Sequence, residues 1–124
     1  MKILGIGVDI IENKRIKLLS KNKQFIKRTF SKKEIISSQK FLDKKNFFAK
    51  RFAAKEALSK SIGIGFRNNL NFKDIEILND KFGKPYYYKS KNIDKIIKNR
   101  FKIKKYNLFL SISDEKDYSI AFAI

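Results

Sequence analysis

NFFAKRFAAKEALSKSIGIG, residues 46–65, is a helix-length run that ends in two glycines, Gly63 and Gly65. At about 100° per residue, Ala49, Phe52, Glu56, Lys60 and Gly63 share one stripe. Phe47, Ala54, Leu58 and Ser61 fall opposite, with Ala53, Ala57 and Ile64 between them. Apolar residues thus occur nearly all round, unlike the one-sided pattern of a surface helix. A long central helix is expected, with at least one charged residue held in partly buried surroundings. A carboxylate in such a place needs a cation, a hydrogen-bond donor or a metal. Glu56 and Lys60 equally fit a surface i, i+4 pair worth about 0.2–0.5 kcal/mol. The helix by itself leaves both readings open.

Upstream, KILGIGVDI (2–10) is strand-like, and its Gly5 and Gly7 suggest close backbone approach. Asp9 closes that strand, where an aspartate commonly forms a turn or caps a helix. A short helix follows over 12–20, with Lys14, Arg15 and Lys17 on its wet side, and basic residues continue to Arg28. Ser31-Lys-Lys-Glu34 fits a capping box and opens a helix to about Leu42, after which Asp43 is a candidate N-cap for the central helix. Downstream, 66–72 reads as loop, 73–79 and 84–88 as strands joined by a turn through Gly83, and 90–99 as an amphipathic helix. Segments 107–113 and 118–124 are strands joined by the acidic turn Asp114–Asp117. Strands and helices alternate without a βαβ period. The expected fold is α+β, one domain over 1–124, with helices including the long central one packed on a mainly antiparallel sheet.

Composition narrows the chemistry. The 124 residues include 12 Phe but neither Cys nor His, which excludes thiol nucleophiles, disulfides, Cys/His zinc sites and histidine bases. Acid–base work and metal binding fall to carboxylates, Lys, Tyr or water, and oxygen-only ligands suit a hard cation such as Mg²⁺. The net charge of +18 implies an acidic partner. The start MKILGIGVDIIENKR lacks the cleavage site of a signal peptide, and no window approaches the roughly 20 apolar residues of a membrane span. A cytoplasmic chain without a membrane partner is expected. The candidates for chemistry are Asp9, Arg51, Lys55, Glu56, Lys60, the Gly63/Gly65 turn, Gly83-Lys84-Pro85 and the Ser113/Asp114 hairpin. Two carboxylates, several cations and glycine-bearing turns would suit a Mg²⁺-bound phosphate or pyrophosphate.

The order of these segments carries a resemblance. GIGVDIIENKRI (5–16), FAKRFAAKEALSKSIGIG (48–65), DIEILNDKFGKP (74–85) and SISDEKDYSIAFAI (111–124) together resemble holo-acyl-carrier-protein synthase, the small bacterial-type 4′-phosphopantetheinyl transferase. The GxDxxE and RFAxKEAxxK segments are the most specific part. The resemblance implies Mg²⁺-dependent transfer of 4′-phosphopantetheine from coenzyme A to a serine of apo acyl carrier protein, releasing 3′,5′-ADP, in support of fatty acid biosynthesis. It makes Asp9 and Glu56 the metal-holding acids, and with Lys60, which faces the transferring phosphate, the catalytic set. Arg51 and Lys55 are expected to help bind the coenzyme phosphates, with Lys60. Gly63, Gly65, Gly83, Lys84 and Pro85 match loop positions near the nucleotide.

The attacking serine needs a base, which without His must be Glu56, Asp9 or water activated at the metal site, the last being preferred. Position 114, a histidine in many relatives, is Asp114 here and makes no cationic contact to phosphate. The acidic carrier is expected to dock on Arg15, Lys14 and Arg28. The resemblance also implies a homotrimer with active sites between subunits. The competing reading is a basic nucleic-acid-binding module without enzymatic activity. It leaves Asp9 and Glu56 unexplained, and the cations are spread along the chain rather than clustered.

Overall fold

The computed structural model describes residues 2–40, 44–66 and 70–124. Its centre is the helix α4, Lys44–Ile62, against which strand β1 (Gly7–Glu12) and the C-terminal strand β5 (Tyr118–Ala123) lie. Strand β4 (Leu110–Asp114) completes a three-stranded antiparallel sheet ordered β1-β5-β4, with Asp9 opposite Ala121. Alternation along the strands turns Ile11, Ala121 and Ala123 into the core. The same alternation leaves Val8, Ile10, Ile120 and Phe122 on the outer face, each at least 39% exposed.

Two glycines set the distance between β1 and α4. A Cβ on Gly5 would stand 1.9 Å from the Ser61 carbonyl oxygen, and one on Gly7 would stand 2.0 Å from that of Ala57. The helix answers with Ala53, Ala54 and Ala57, all fully buried, so strand backbone meets helix backbone without side chains between. Gly5 lies outside the strand, which starts at Gly7 rather than at residue 2. At the helix end Gly63 takes a φ of +78°, and the amides of Gly63 and Ile64 both donate to the Ser59 carbonyl. Glycine adopts that left-handed turn without a Cβ penalty.

The expected strands 73–79 and 84–88 form a separate hairpin of β2 (Glu76–Asn79) and β3 (Pro85–Tyr88). Its start is delayed by a 3₁₀ turn at Phe72–Asp74, where the Asp74 carboxylate accepts from the Asn71 amide at 2.9 Å. Antiparallel pairing holds throughout, divided between two sheets. The amphipathic helix is α5, Lys91–Phe101, capped by the Ser90 hydroxyl, with Ile93 and Ile97 buried.

At the N-terminal end, α1 (Asn13–Leu19) matches the expected short helix. An additional helix, α2 (Lys23–Thr29), lies inside the basic run, its first amides capped by the Asn22 side chain. The capping box is present and opens α3, Lys32–Ser38. Leu42 and Asp43 fall outside the described residues, as do 67–69 of the expected loop. Among the described residues no helix is long and apolar enough to cross a membrane.

Candidate active site

The stripe Phe52–Glu56–Lys60 runs along α4 from core to rim: Phe52 is buried, Glu56 half-buried and Lys60 exposed. The close seat of β1 on this helix brings Asp9 over it. Lys60 Nζ donates to Asp9 Oδ1 at 3.1 Å and to the Val8 carbonyl at 3.1 Å. Burial raises the proton affinity of Glu56 above that of an ordinary glutamate, and the neighbouring charge of Asp9 raises it further, while Lys60 and Arg15 act in the opposite sense. Asp9, Glu56, Lys60 and Arg15 are therefore one electrostatic cluster, drawn from β1, α1 and α4.

Two carboxylates so placed can hold a divalent cation, which would relieve their mutual repulsion. Among the described residues no group of three or more acids is placed to hold a metal ion, so further ligands would be water or substrate oxygens. Mg²⁺ is usually bound in that manner, through one or two carboxylates and phosphates.

Lys55, expected at the coenzyme phosphates, is placed elsewhere. It is fully buried, and its ammonium donates to Glu34 Oε1 at 2.8 Å, to the Phe72 carbonyl at 2.9 Å and to the Ile75 carbonyl. All three donors are used inside the protein, and none is left for a phosphate. Burial pushes its pKa below the ordinary lysine value, against the opposing pull of Glu34. Glu34 is equally buried and also accepts from the amides of Ser31 and Ile77. Sequence reasoning saw Glu34 only as a capping residue.

Arg51 is 4% exposed, with its guanidinium 3.6 Å from the Phe47 ring centre and Nη2 donating to Asn79 Oδ1 at 2.9 Å. Burial lowers its pKa to about 10, so it stays charged at neutral pH. Its Nε is buried without a partner among the described residues. Through Asn79 it ties α4 to the β2–β3 hairpin, whose turn carries exposed Gly83 and Lys84 and half-buried Pro85. Gly83 takes a φ of +83°, and the Asp80 carboxylate accepts from the Phe82 and Lys84 amides. The hairpin is tied to α4 by the bond from Arg51 to Asn79 and by the Tyr87 hydroxyl, which donates to the Ala54 carbonyl. Gly63 and Gly65 are exposed just beyond Lys60.

Lys14, Arg15 and Arg28 are all exposed. Arg28 borders a groove of about 850 Å³ between α2 and the 70–74 segment, rimmed by Lys27 and Lys73 and floored by Phe25, Phe52 and Phe72. Phe52, on the groove floor, lies one turn from Glu56 on the same stripe of α4. Asp114 is exposed and accepts from Asn46 Nδ2 at 3.5 Å. Asn13, unremarked in the sequence, is buried and donates to the Glu115 and Lys116 carbonyls while accepting from Ser119 Oγ. It locks α1, and hence Arg15, to the β4–β5 turn.

Residues 5–123 match the model of the 4′-phosphopantetheinyl transferase superfamily. The chain belongs to this family. A superfamily relative named holo-[acyl-carrier-protein] synthase, from Pelagibacter ubique, is 62% identical over 124 residues, covering 100% of this chain and 97% of that protein. The crystal structure of holo-[acyl-carrier-protein] synthase from Neisseria meningitidis superposes with a TM-score of 0.88 at 35% identity, covering 98% of this chain and 97% of the other. That of a holo-(acyl-carrier-protein) synthase from Bacillus anthracis, in complex with CoA (3′,5′-ADP), gives a TM-score of 0.80 at 34% identity, covering 98% and 94%. The transferase fold thus extends over essentially the whole chain.

Proposed function

We propose that this chain transfers 4′-phosphopantetheine from coenzyme A to a serine hydroxyl of an apo acyl carrier protein, releasing 3′,5′-ADP, with Mg²⁺ held by Asp9 and Glu56. The observation that carries the reading is the meeting of Asp9 from β1 with Glu56 and Lys60 from α4, at a point where burial and like charge raise the proton affinity of Glu56. The new bond joins the serine oxygen to the β-phosphorus of coenzyme A, and the bond from that phosphorus to the oxygen of the 3′,5′-ADP leaving group breaks. When bound, Mg²⁺ neutralises charge building on the phosphoryl oxygens. Lys60, exposed and held only at the rim, turns from Asp9 to the transferring phosphate as a second positive group. The serine proton leaves by way of the Asp9–Glu56 pair or its solvent, since the chain contains no histidine.

Coenzyme phosphates and nucleotide are assigned to Arg51, Lys60, Gly63, Gly65, Gly83, Lys84 and Pro85. Support comes from the likeness to the Bacillus anthracis protein in complex with CoA (3′,5′-ADP). The acidic carrier protein docks on Lys14, Arg15 and Arg28, with an apolar side chain entering the groove over Phe25 and Phe52. A net charge of +18 favours such a partner. The outer face of the sheet, with the cross-strand pairs Val8–Phe122 and Ile10–Ile120 exposed, is the surface of a homotrimer. We place the enzyme in the cytoplasm, in fatty acid biosynthesis. Metal activation curves test the site: Asp9→Asn and Glu56→Gln should each raise the Mg²⁺ concentration for half-maximal transfer by at least tenfold. An unchanged curve in either active variant removes that residue from the metal site.

A further inference from the structure

Lys55 and Glu56 are neighbours on α4 and face directions about 100° apart. Glu56 turns toward β1 and the acidic pair. Lys55 turns inward, toward α3 and the segment that leads into β2. Two of its three bonds go to backbone carbonyls of that segment, Phe72 and Ile75. The third goes to Glu34, which in turn accepts from the Ile77 amide.

The segment held in this way forms one wall of the carrier groove. The Phe72 ring stacks on Phe66 at 3.7 Å between centres and on Phe52 at 5.4 Å, and Lys73 stands at the rim. Local structure there is a single 3₁₀ turn of three residues, closed by backbone bonds from Asp74 to Asn71 and from Ile75 to Phe72. One short turn confers little rigidity, and a buried charge with complete hydrogen bonding supplies it. Lysine suits the place because a single ammonium on a long stem reaches two carbonyls and a carboxylate at once.

We propose that Lys55 is a positioning residue for carrier-protein recognition: it holds the Phe72–Ile75 wall at the distance from α2 and Phe52 that the docking partner requires. This rests on reading the groove as the carrier surface. The Lys55 ammonium spends its three donors on Glu34, Phe72 and Ile75 and has none for a coenzyme phosphate, so its loss acts on one substrate only.

The test is steady-state kinetics of the full chain with each substrate varied in turn. Lys55→Met should raise the KM for apo carrier protein roughly tenfold, the effect of leaving buried carbonyls and Glu34 unpaired. The KM for coenzyme A and kcat should stay within about twofold. A merely structural role would lower the active fraction, and with it the apparent kcat, and would leave the carrier KM alone. Glu34→Gln provides a second variant in case Lys55→Met does not fold. Its single amide oxygen can replace Oε1, which serves Ser31 and Lys55, or Oε2, which serves Ile77, but not both, so one link between α3, Lys55 and the β2 segment is lost and the carrier KM should rise several-fold. Arg28→Glu separates the two readings. An increased carrier KM in Arg28→Glu, with none in folded Lys55→Met or Glu34→Gln, overturns the role of Lys55 and leaves the groove standing. An unchanged carrier KM in all of them overturns both.

Discussion

Replacing Gly7 by Ala adds one methyl group where β1 crosses α4. That Cβ would stand 2.0 Å from the Ala57 carbonyl oxygen and 2.7 Å from the Ser61 amide nitrogen. Both are backbone atoms of a long buried helix, so neither can swing aside as a flexible side chain would. Restoring an ordinary contact of 3.4 Å requires β1 to withdraw by about 1.4 Å, the difference between 3.4 and 2.0 Å. Overpacking of this kind costs about 1–3 kcal/mol. Asp9 lies two residues on in the same strand and is carried away from Lys60 and Glu56. A displacement near 1 Å at a reacting centre costs about 100-fold in rate. Gly7→Ala should therefore lose about 1–3 kcal/mol in urea denaturation and roughly two orders of magnitude in phosphopantetheine transfer. Gly65→Ala, whose Cβ meets nothing within 4 Å, serves as the stability control. A Gly7→Ala protein with wild-type stability and transfer would refute the view that this close approach seats Asp9.

Three further outcomes follow from the same geometry. Because Glu56 has a raised proton affinity in the folded state, the metal-free native protein holds the Glu56 proton to higher pH than the unfolded chain, above the ordinary value of about 4.5. Its stability therefore falls as pH rises through that window. Glu56→Gln should transfer only at raised Mg²⁺, lack this slope, and be the more stable protein at neutral pH; paired denaturation curves at pH 4 and 7 check it. Arg15→Glu should raise the carrier KM several-fold at low ionic strength, with the penalty shrinking at about 0.5 M salt. It should also move the acidic limb of the pH–rate profile upward, since Arg15 now eases ionisation of Glu56. Ile120→Asp, placed on the exposed outer sheet face opposite Ile10, should yield monomers in sedimentation velocity, where the proposed trimer predicts a threefold larger wild-type particle; a variant that keeps the wild-type sedimentation would locate any subunit interface elsewhere.

What the sequence disclosed depended on how local each signal was. The central helix, the Ser31–Glu34 capping box and the amphipathic helix that starts near Ser90 are written within a few residues, and each stands where it was expected. The tight approach at Gly5 and Gly7 was also legible, because glycine in an apolar strand has few other reasons to be there. Helix α2 was not, since lysines and Arg28 mask its apolar face. It is stabilised by contacts distant in sequence, such as Phe25 against Phe52 at 6.1 Å between ring centres.

The position of Lys55 was beyond local reading altogether. Its partners Glu34, Phe72 and Ile75 lie 17 to 21 residues away, and nothing in a lysine beside Glu56 separates an inward from an outward side chain. The family motif therefore suggested a phosphate ligand where the fold has an internal strut. Asp9 and Lys60 are 51 residues apart. They were joined in the sequence only through the family resemblance, and the fold brings them to 3.1 Å.

The most direct measurement is the intact mass of an apo acyl carrier protein after incubation with this chain, coenzyme A and Mg²⁺, beside a sample containing EDTA. The expected result is one phosphopantetheine adduct on the carrier serine with Mg²⁺, and unmodified carrier with EDTA. Unmodified carrier in both samples, or an adduct that forms equally well in EDTA, would contradict metal-dependent transfer at the Asp9–Glu56 pair.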